Sequence, residues 1–183
     1  MLAQDLQAAP WMEQLKKDFF SFFSFFKLIS IFKIRLWDKK SGDMQKTFSI
    51  SELEEKSTGA PAPVTATLGI LDMVNGRDRE GVIVCNRTAT VYRIGFGGDI
   101  IMRYVCSEDQ AEILSVAVSS LGKFIYAATS SSLFVFHYET GAEEIKLPLP
   151  DDTLRIFVHP HMNVLCVLSM DQKAMLYRAP ERE

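Results

Sequence analysis

A unit of short apolar runs occurs twice in succession between Ala111 and Ala179, and this repeat limits the folds open to the chain. Turn-forming residues separate the runs, which lie at 113–118, 124–128, 133–136 and 145–147 in the first copy and at 154–158, 164–168 and 174–177 in the second. Runs of this length, rich in β-branched and aromatic residues, predict strands. The repeat therefore predicts units of four short strands, and the last unit ends after its third strand.

The same pattern extends upstream of the two clear copies. Further strands are predicted at Ile34–Trp37, Met44–Phe48, Thr67–Leu71, Val82–Cys85, Thr90–Ile94 and Ile100–Val105. Between them, residues 49–64 hold charges, two prolines and a glycine, and this composition favours a loop. The equivalent third-strand positions are Trp37, Ile94, Phe136 and Tyr177, and the last three recur at intervals of 42 and 41 residues.

Four strands in about forty residues, with a Trp37-Asp38 dipeptide ending a third strand, are typical of WD-type β-propeller blades. The fold class is therefore predicted to be all-β, with a partial propeller of about two and a half blades over residues 34–179. Inner strands covered on both faces should be continuously apolar, and outer strands should alternate. Because two and a half blades cannot close a ring, we expect an uncovered apolar face at each end, and a chain that is either unstable in isolation or the tail of a longer protein.

Residues 1–33 do not fit the repeat and are predicted to be a non-propeller extension. Residues 1–18 are compatible with a short amphipathic helix that Pro10 interrupts. Phe19–Phe32 reads FFSFFSFFKLISIF, which is shorter than the roughly twenty residues of a membrane span. Codons for Phe and Ser can both be pyrimidine-rich, so this run also resembles a translated polypyrimidine tract, an artefact of the gene model.

Charge and cysteine content exclude several classes of function. The net charge is −3 and no Lys/Arg cluster lies in the repeats, so direct nucleic-acid binding is not expected. The three cysteines Cys85, Cys106 and Cys166 match no zinc spacing and no disulfide framework. They are interpreted as small core residues in a reducing compartment.

Several residues invite a catalytic or metal-binding interpretation that their context does not favour. His159-Pro160-His161 could offer two imidazole ligands, but alternate residues of an extended segment point in opposite directions. A Ser-His-Asp hydrolase using Asp151 or Asp152 lacks a Gly-x-Ser-x-Gly elbow. We therefore predict no catalytic, cofactor-binding or metal-binding residue, and interpret 159–163 as an inter-strand turn.

Two other patterns are assigned to turns and loops. Gly95-Phe96-Gly97-Gly98 lacks the strand-to-helix context of a dinucleotide site and predicts a hairpin turn. The acidic run Glu52, Glu54 and Glu55 is expected to be a solvated part of the loop at 49–64.

Four segments resemble the C-terminal blades of WD-repeat splicing factors of the suppressor-of-mec-and-unc type. They are Val82–Thr88 followed by Thr90-Val91, Leu121–Tyr126, Glu139–Gly141, and Val158–Leu165 with its His-Pro-His turn. Their order and spacing agree with that family over about residues 34–178. The family's N-terminal dimerisation module and early blades have no counterpart, no Gly-His dipeptide occurs, and the tight-turn Asp of a WD repeat is present only as Asp171.

The resemblance implies a non-catalytic scaffold in the nucleus that contacts other spliceosomal proteins and needs no cofactor, membrane or small-molecule substrate. In a rigid blade structure the connecting loops would carry the contacts. The candidate loops are 49–65, 119–122 and 159–163. Three alternatives stay open: a WD-repeat adaptor outside splicing, a metal-dependent propeller hydrolase, and a scaffold tethered to a membrane by Phe19–Phe32.

Overall fold

The structure is a computed structural model that describes residues 33–67, 69–77 and 81–179. This part of the chain contains thirteen β-strands, one α-helix and one short 3-10 helix. The strands form four separate antiparallel sheets of two, four, four and three strands. The amphipathic helix predicted for residues 1–18 and the Phe19–Phe32 segment lie outside the described residues. Within those residues, no helix is long and apolar enough to cross a membrane.

Each sheet corresponds to one propeller blade, and the blades follow one another along the chain. Blade 1 consists of β1 (Ile34–Trp37) and β2 (Met44–Phe48). Blade 2 consists of β3 (Asp72–Asn75), β4 (Gly81–Cys85), β5 (Thr90–Gly95) and β6 (Ile100–Val105). Blade 3 consists of β7 (Ser115–Val118), β8 (Phe124–Ala128), β9 (Ser132–His137) and β10 (Glu143–Pro148). Blade 4 consists of β11 (Thr153–Val158), β12 (Val164–Ser169) and β13 (Ala174–Arg178). The prediction of a half blade, two complete blades and a last blade without its outer strand is confirmed.

The first strand of blade 2 lies downstream of its predicted position. The sequence predicts a strand over Thr67–Leu71, but β3 begins at Asp72, and Val64–Thr67 forms the 3-10 helix instead. Ile70 is buried in an apolar cluster with residues of blade 2, so this stretch packs against the blade without forming one of its strands. The prediction was wrong because apolar content alone does not show which residues enter the ladder.

The predicted loop at 49–64 is also wrong, because residues Ile50–Thr58 form helix α1. Ser49 caps its N-terminus: the Ser49 hydroxyl accepts from the Glu52 amide, and the Glu52 carboxylate accepts from the Ser49 amide. This reciprocal pair is a capping box, which satisfies two amides that a helix start leaves unpaired. Gly59 ends the helix with a φ of 69°, a conformation that favours glycine.

Three apolar clusters hold consecutive blades together. One joins blade 1 and α1 to blade 2, the second joins blade 2 to blade 3, and the third joins blade 3 to blade 4. As predicted, the inner strands β4, β8 and β9 are buried on both faces, whereas β10 alternates between exposed and half-buried residues. β12 also alternates, although its sequence is continuously apolar, because no other blade of the described residues covers its second face.

Candidate interaction surfaces

Cross-strand rows of side chains show which residues of a blade receive the next one. In blade 3, Ala117, Tyr126 and Val135 lie opposite one another on neighbouring strands and are buried. Blade 4 covers this row with Ile156, Leu165 and Val167, which belong to the same apolar cluster. In blade 2 the equivalent row starts with Val74 and Ile83, and blade 3 covers it in the same way.

Blade 4 presents the equivalent row to solvent. Phe157 lies opposite Cys166, and Cys166 lies opposite Leu176. Leu176 is 44% exposed, and Phe157, Cys166 and the adjacent Leu168 are half-buried. We call these four residues the terminal face. The equivalent apolar surface of blade 2 is covered by blade 3, and that of blade 3 is covered by blade 4. Exposed apolar patches of this sort mark association surfaces.

The opposite end of the described chain has a smaller open surface. Trp37 lies opposite Met44 across blade 1, and their exposed fractions are 49% and 53%. The residues at the equivalent third-strand positions of blades 2 and 3, Ile94 and Phe136, are fully buried. Trp37 therefore occupies a position that packs against a preceding blade elsewhere in the chain. Among the described residues, an exposed apolar surface is present at each end, as expected.

A buried polar network joins the first strands of blades 2, 3 and 4, which are β3, β7 and β11. The Asp72 carboxylate accepts from the Ser115 hydroxyl at 2.7 Å and from the Val116 amide at 3.1 Å. Its other oxygen accepts from the Arg155 guanidinium at 2.8 Å. The Ser115 hydroxyl in turn accepts from the Ile156 amide at 3.2 Å. One carboxylate and one hydroxyl thus fix the relative positions of three blades, and we call this group the Asp72 clasp.

A second set of contacts joins blades 2 and 3 around Tyr138. The Tyr104 hydroxyl donates to the Tyr138 carbonyl at 2.7 Å, and the Arg77 amide donates to the Tyr138 hydroxyl at 3.0 Å. The Arg93 guanidinium lies 4.4 Å from the centre of the Tyr138 ring, within the range of a cation–π interaction. Burial raises the pKa of Tyr104 well above its usual range, so its hydroxyl stays a donor.

An ion pair between Glu54 and Arg103 attaches helix α1 to the outer strand of blade 2, and this shows that one prediction for the acidic run was wrong. Glu54 was expected to be solvated, but it is buried and accepts two bonds from Arg103, at 3.0 and 2.7 Å. The hydrogen bonds from Arg103 hold the pKa of Glu54 below its ordinary value. Burial, and then the charge of Glu54, raise the pKa of the neighbouring Tyr92 to about 12. Glu52 and Glu55 are exposed, as expected.

Replacing Glu54 by Gln is expected to lower the free energy of unfolding by about 1 kcal/mol at pH 7, because a partly exposed ion pair contributes modestly. The pKa of Glu54 is lowered in the folded chain from an ordinary value of 4.5. This contribution is therefore complete above about pH 4.5 and disappears as the pH falls through the folded-state pKa. Urea unfolding at pH 7 and pH 3.5 checks this: the difference between wild type and variant should be smaller at the lower pH. An equal difference at both pH values would show that the charge is not responsible.

The residues considered for catalysis lie apart. Asp151 and Asp152 precede β11 and His159 follows it, so a six-residue strand separates them. A strand of that length spans roughly 20 Å, which rules out a Ser-His-Asp triad built on these residues. The segment at 159–163 is an inter-strand turn, as predicted. Among residues 33–67, 69–77 and 81–179, no group of three or more His, Cys, Asp or Glu side chains could hold a metal ion.

The predicted hairpin turn and two of the three predicted core cysteines lie where the sequence placed them, but the prediction was wrong for Cys166. Gly95–Gly98 is the turn between β5 and β6, closed by a bond from the Gly98 amide to the Gly95 carbonyl. Cys85 and Cys106 are free and buried, whereas Cys166 is half-buried on the terminal face. Burial raises the pKa of all three thiols, that of Cys106 to about 12.

Sequence reasoning missed the residues that hold the blades in place. Ser49 and Glu52 carry the Ser-x-x-Glu signature of a capping box, which would have indicated a helix at this point. Asp72 had no such local signal, because its partners Ser115 and Arg155 are 43 and 83 residues away in the chain. Only the register of three strands brings these side chains together.

Comparison with known proteins supports the repeat assignment. No protein-family model matches the chain. Among curated proteins, the chain is similar to the WD40 repeat-containing protein smu1 of Dictyostelium discoideum, with 23% identity over 141 residues. The match covers 76% of this chain and 25% of the Dictyostelium protein, so the chain spans about a quarter of that relative.

Solved propellers resemble the fold. The β-propeller domain of Cps50 (Swd1) from Myceliophteria thermophila superposes with a TM-score of 0.63 and 12% identity, over 82% of this chain and 48% of that one. U3-55K and the RRP9 WD40 repeats, with TM-scores of 0.53 and 0.54 and 13% identity, each match 61% of this chain and 36% of their own length. The chain thus has the fold of a partial WD40-type β-propeller.

Proposed function

We propose that residues 34–179 act as a non-catalytic WD-repeat scaffold, formed by the C-terminal blades of a pre-mRNA splicing factor that works in the nucleus. The observation that carries the proposal is the terminal face. Its row of Phe157, Cys166 and Leu176 repeats the rows that receive a neighbouring blade in blades 2 and 3. A surface built to pack against a protein sheet supports docking as its role.

The occupant proposed for the terminal face is a further four-stranded blade of the same type. Within the chain, the first and second strands of the following blade cover each buried row. For blade 3 these strands are β11, with Ile156, and β12, with Leu165. Blade 1 of a second copy offers only β1 and β2, a third and an outer strand, in the described residues. It would leave Phe157 and Cys166 uncovered, so a complete blade fits better than a second copy of this chain.

The splicing assignment rests on sequence similarity. The curated relative is a smu1 protein, and the segments at Val82–Thr88 and Val158–Leu165 resemble splicing factors of the suppressor-of-mec-and-unc type. Spliceosomal proteins are the proposed partners of the loops, which include 119–122, 159–163 and the connection that carries α1. Neither nucleic acid nor a small-molecule substrate has a part in this proposal.

Docking of further blades can be tested by co-purification. The tagged 183-residue chain would be co-expressed with Dictyostelium smu1 lacking the quarter that matches it. We expect the two to co-purify, and we expect the double variant Phe157→Asp/Leu176→Asp to lose this association, because it places two charges on an apolar contact. The control is Leu121→Asp, at a residue that is exposed in the turn between β7 and β8 and outside the terminal face.

Equal recovery of the double variant, or no recovery of the wild type, would overturn the proposed docking. Proximity labelling by the tagged chain in cells tests the splicing assignment separately. We expect spliceosomal proteins to be enriched over other nuclear proteins, with less enrichment for the double variant. Enrichment of an unrelated complex would favour a WD-repeat adaptor outside splicing.

A further inference from the structure

All three histidines of the chain lie in turns of blades 3 and 4. They are His137, which ends β9, and His159 and His161, which follow β11. Strands of a blade alternate in direction, so the connection between the first and second strands lies at the same end as the connection between the third and fourth. His137 begins the connection between the third and fourth strands of blade 3, and His159 begins the connection between the first and second strands of blade 4. The three imidazoles therefore share one end of neighbouring blades.

Two of these histidines close their turns through the same atom. The Nδ1 of His159 accepts from the amides of His161 and Met162, at 3.1 and 3.0 Å. The Nδ1 of His137 accepts from the amides of Glu139 and Thr140, both at 3.3 Å. In each turn the amides two and three residues after the histidine point at its ring nitrogen.

Blade 1 has the same turn with a different acceptor. There the Asp38 carboxylate accepts from the amides of Lys40 and Ser41, at 2.7 and 2.9 Å. These two backbone bonds hold the pKa of Asp38 below its ordinary value. The carboxylate therefore remains an acceptor in neutral and mildly acidic solution, and this turn is an internal reference for the other two.

A ring nitrogen that accepts two amide hydrogens carries no hydrogen of its own, so the geometry of both turns fits the tautomer with the ring proton on Nε2. Protonation converts Nδ1 from an acceptor into a donor that faces two donors. Both turn bonds are then lost, and a positive charge is added beside the amides. Histidine is the side chain that ordinarily changes charge between about pH 5 and 8.

Several charged residues lie on the strands and turns next to the two histidines. Lys123 precedes β8 and Glu143 begins β10, the two strands that pair with β9. Glu139, in the same turn as His137, forms an ion pair with Arg93 at 3.5 Å. The ring of His161 lies 6.3 Å from that of His159, and Arg178 pairs with Val164 at the start of β12. In the described part of the chain, neither His137 nor His159 forms an ion pair.

We propose that the histidine turns at 137–140 and 159–162 form a pH-sensitive surface of the propeller: closed by neutral imidazoles, and opened together by mild acid.

Hydrogen exchange read by mass spectrometry on the full chain tests the proposal. Protection, expressed relative to the intrinsic exchange rate at each pH, is compared at pH 7.5 and 5.5 for peptides that cover the three turns. We expect the 137–140 and 159–162 amides to lose protection by about tenfold or more, since each turn gives up two hydrogen bonds. The 38–41 turn should not change.

The matched variants are His137→Asn and His159→Asn, which keep an acceptor that does not titrate in this range. Each should retain its turn's protection at both pH values, while His159→Ala should lose it at both. Unchanged protection of the wild-type histidine turns at pH 5.5 would overturn the proposal. So would an equal loss in the Asn variants, because the titrating group would then lie elsewhere.

Discussion

Replacing Asp72 by alanine is expected to destabilise the folded chain by about 3 kcal/mol, because it removes the acceptor of two buried donors, the Ser115 hydroxyl and the Val116 amide, and breaks the ion pair with Arg155. The Asp72 side chain accepts from Ser115, Val116 and Arg155, which belong to blades 3 and 4. The measurement is the free energy of unfolding from urea titration at pH 7. Asp109→Ala is the control, since Asp109 is exposed in the connection between blades 2 and 3.

The Asp72 clasp also makes a prediction about coupling. Arg155→Ala alone should be destabilising. The double variant Asp72→Ala/Arg155→Ala should cost less than the sum of the two single variants, because each single variant already breaks the same ion pair. A double-mutant cycle measures this difference. Additive effects, or an Asp72→Ala variant as stable as Asp109→Ala, would show that the clasp does not join the three blades.

Phe136→Ala is expected to cost about 4 kcal/mol, the largest effect of any single substitution considered. Phe136 is fully buried between blades 2 and 3, with its ring centre 5.8 Å from that of Tyr104. Tyr177 holds the equivalent third-strand position in blade 4 but is 39% exposed. Tyr177→Ala should therefore cost less than about 1 kcal/mol.

These two variants make a matched pair, since the repeat gives them the same position and only the surroundings differ. Thermal or urea unfolding of both, side by side, checks the difference. Tyr177 lies opposite Leu165, on the side of blade 4 that faces blade 3. Similar losses at both positions would mean that β13 packs against blade 3 as fully as β9 packs against blade 2, which would contradict the partial exposure of this edge strand.

The strands could be predicted from the sequence because two constraints act on the same residues. In β8 and β9 the apolar runs are continuous and recur at the period of a blade, so position and composition agree. Helix α1 was missed because prolines and charges dominate its surroundings, and its capping box is a signal of only two residues, Ser49 and Glu52. Local composition outweighed a specific but short pattern.

The polar contacts between blades could not be predicted from the sequence. Glu54 reads as part of an acidic run, and only the docking of α1 on β6 gives it Arg103 as a partner. The sequence showed why His159 and His161 make poor joint metal ligands. It did not show that His159 Nδ1 faces the backbone of its own turn, because that depends on dihedral angles and not on residue type.

Reaction of the three cysteines with a small alkylating reagent tests the central claim most directly: a partial propeller leaves the face of blade 4 open for docking. Cys166 is half-buried on the terminal face, while Cys85 and Cys106 are buried between or within blades. In the folded 183-residue chain at pH 8, mass spectrometry should show Cys166 modified about tenfold or more faster than the other two, which react only after local opening. Equal rates at all three cysteines, or a Cys166 as protected as Cys85, would contradict the claim.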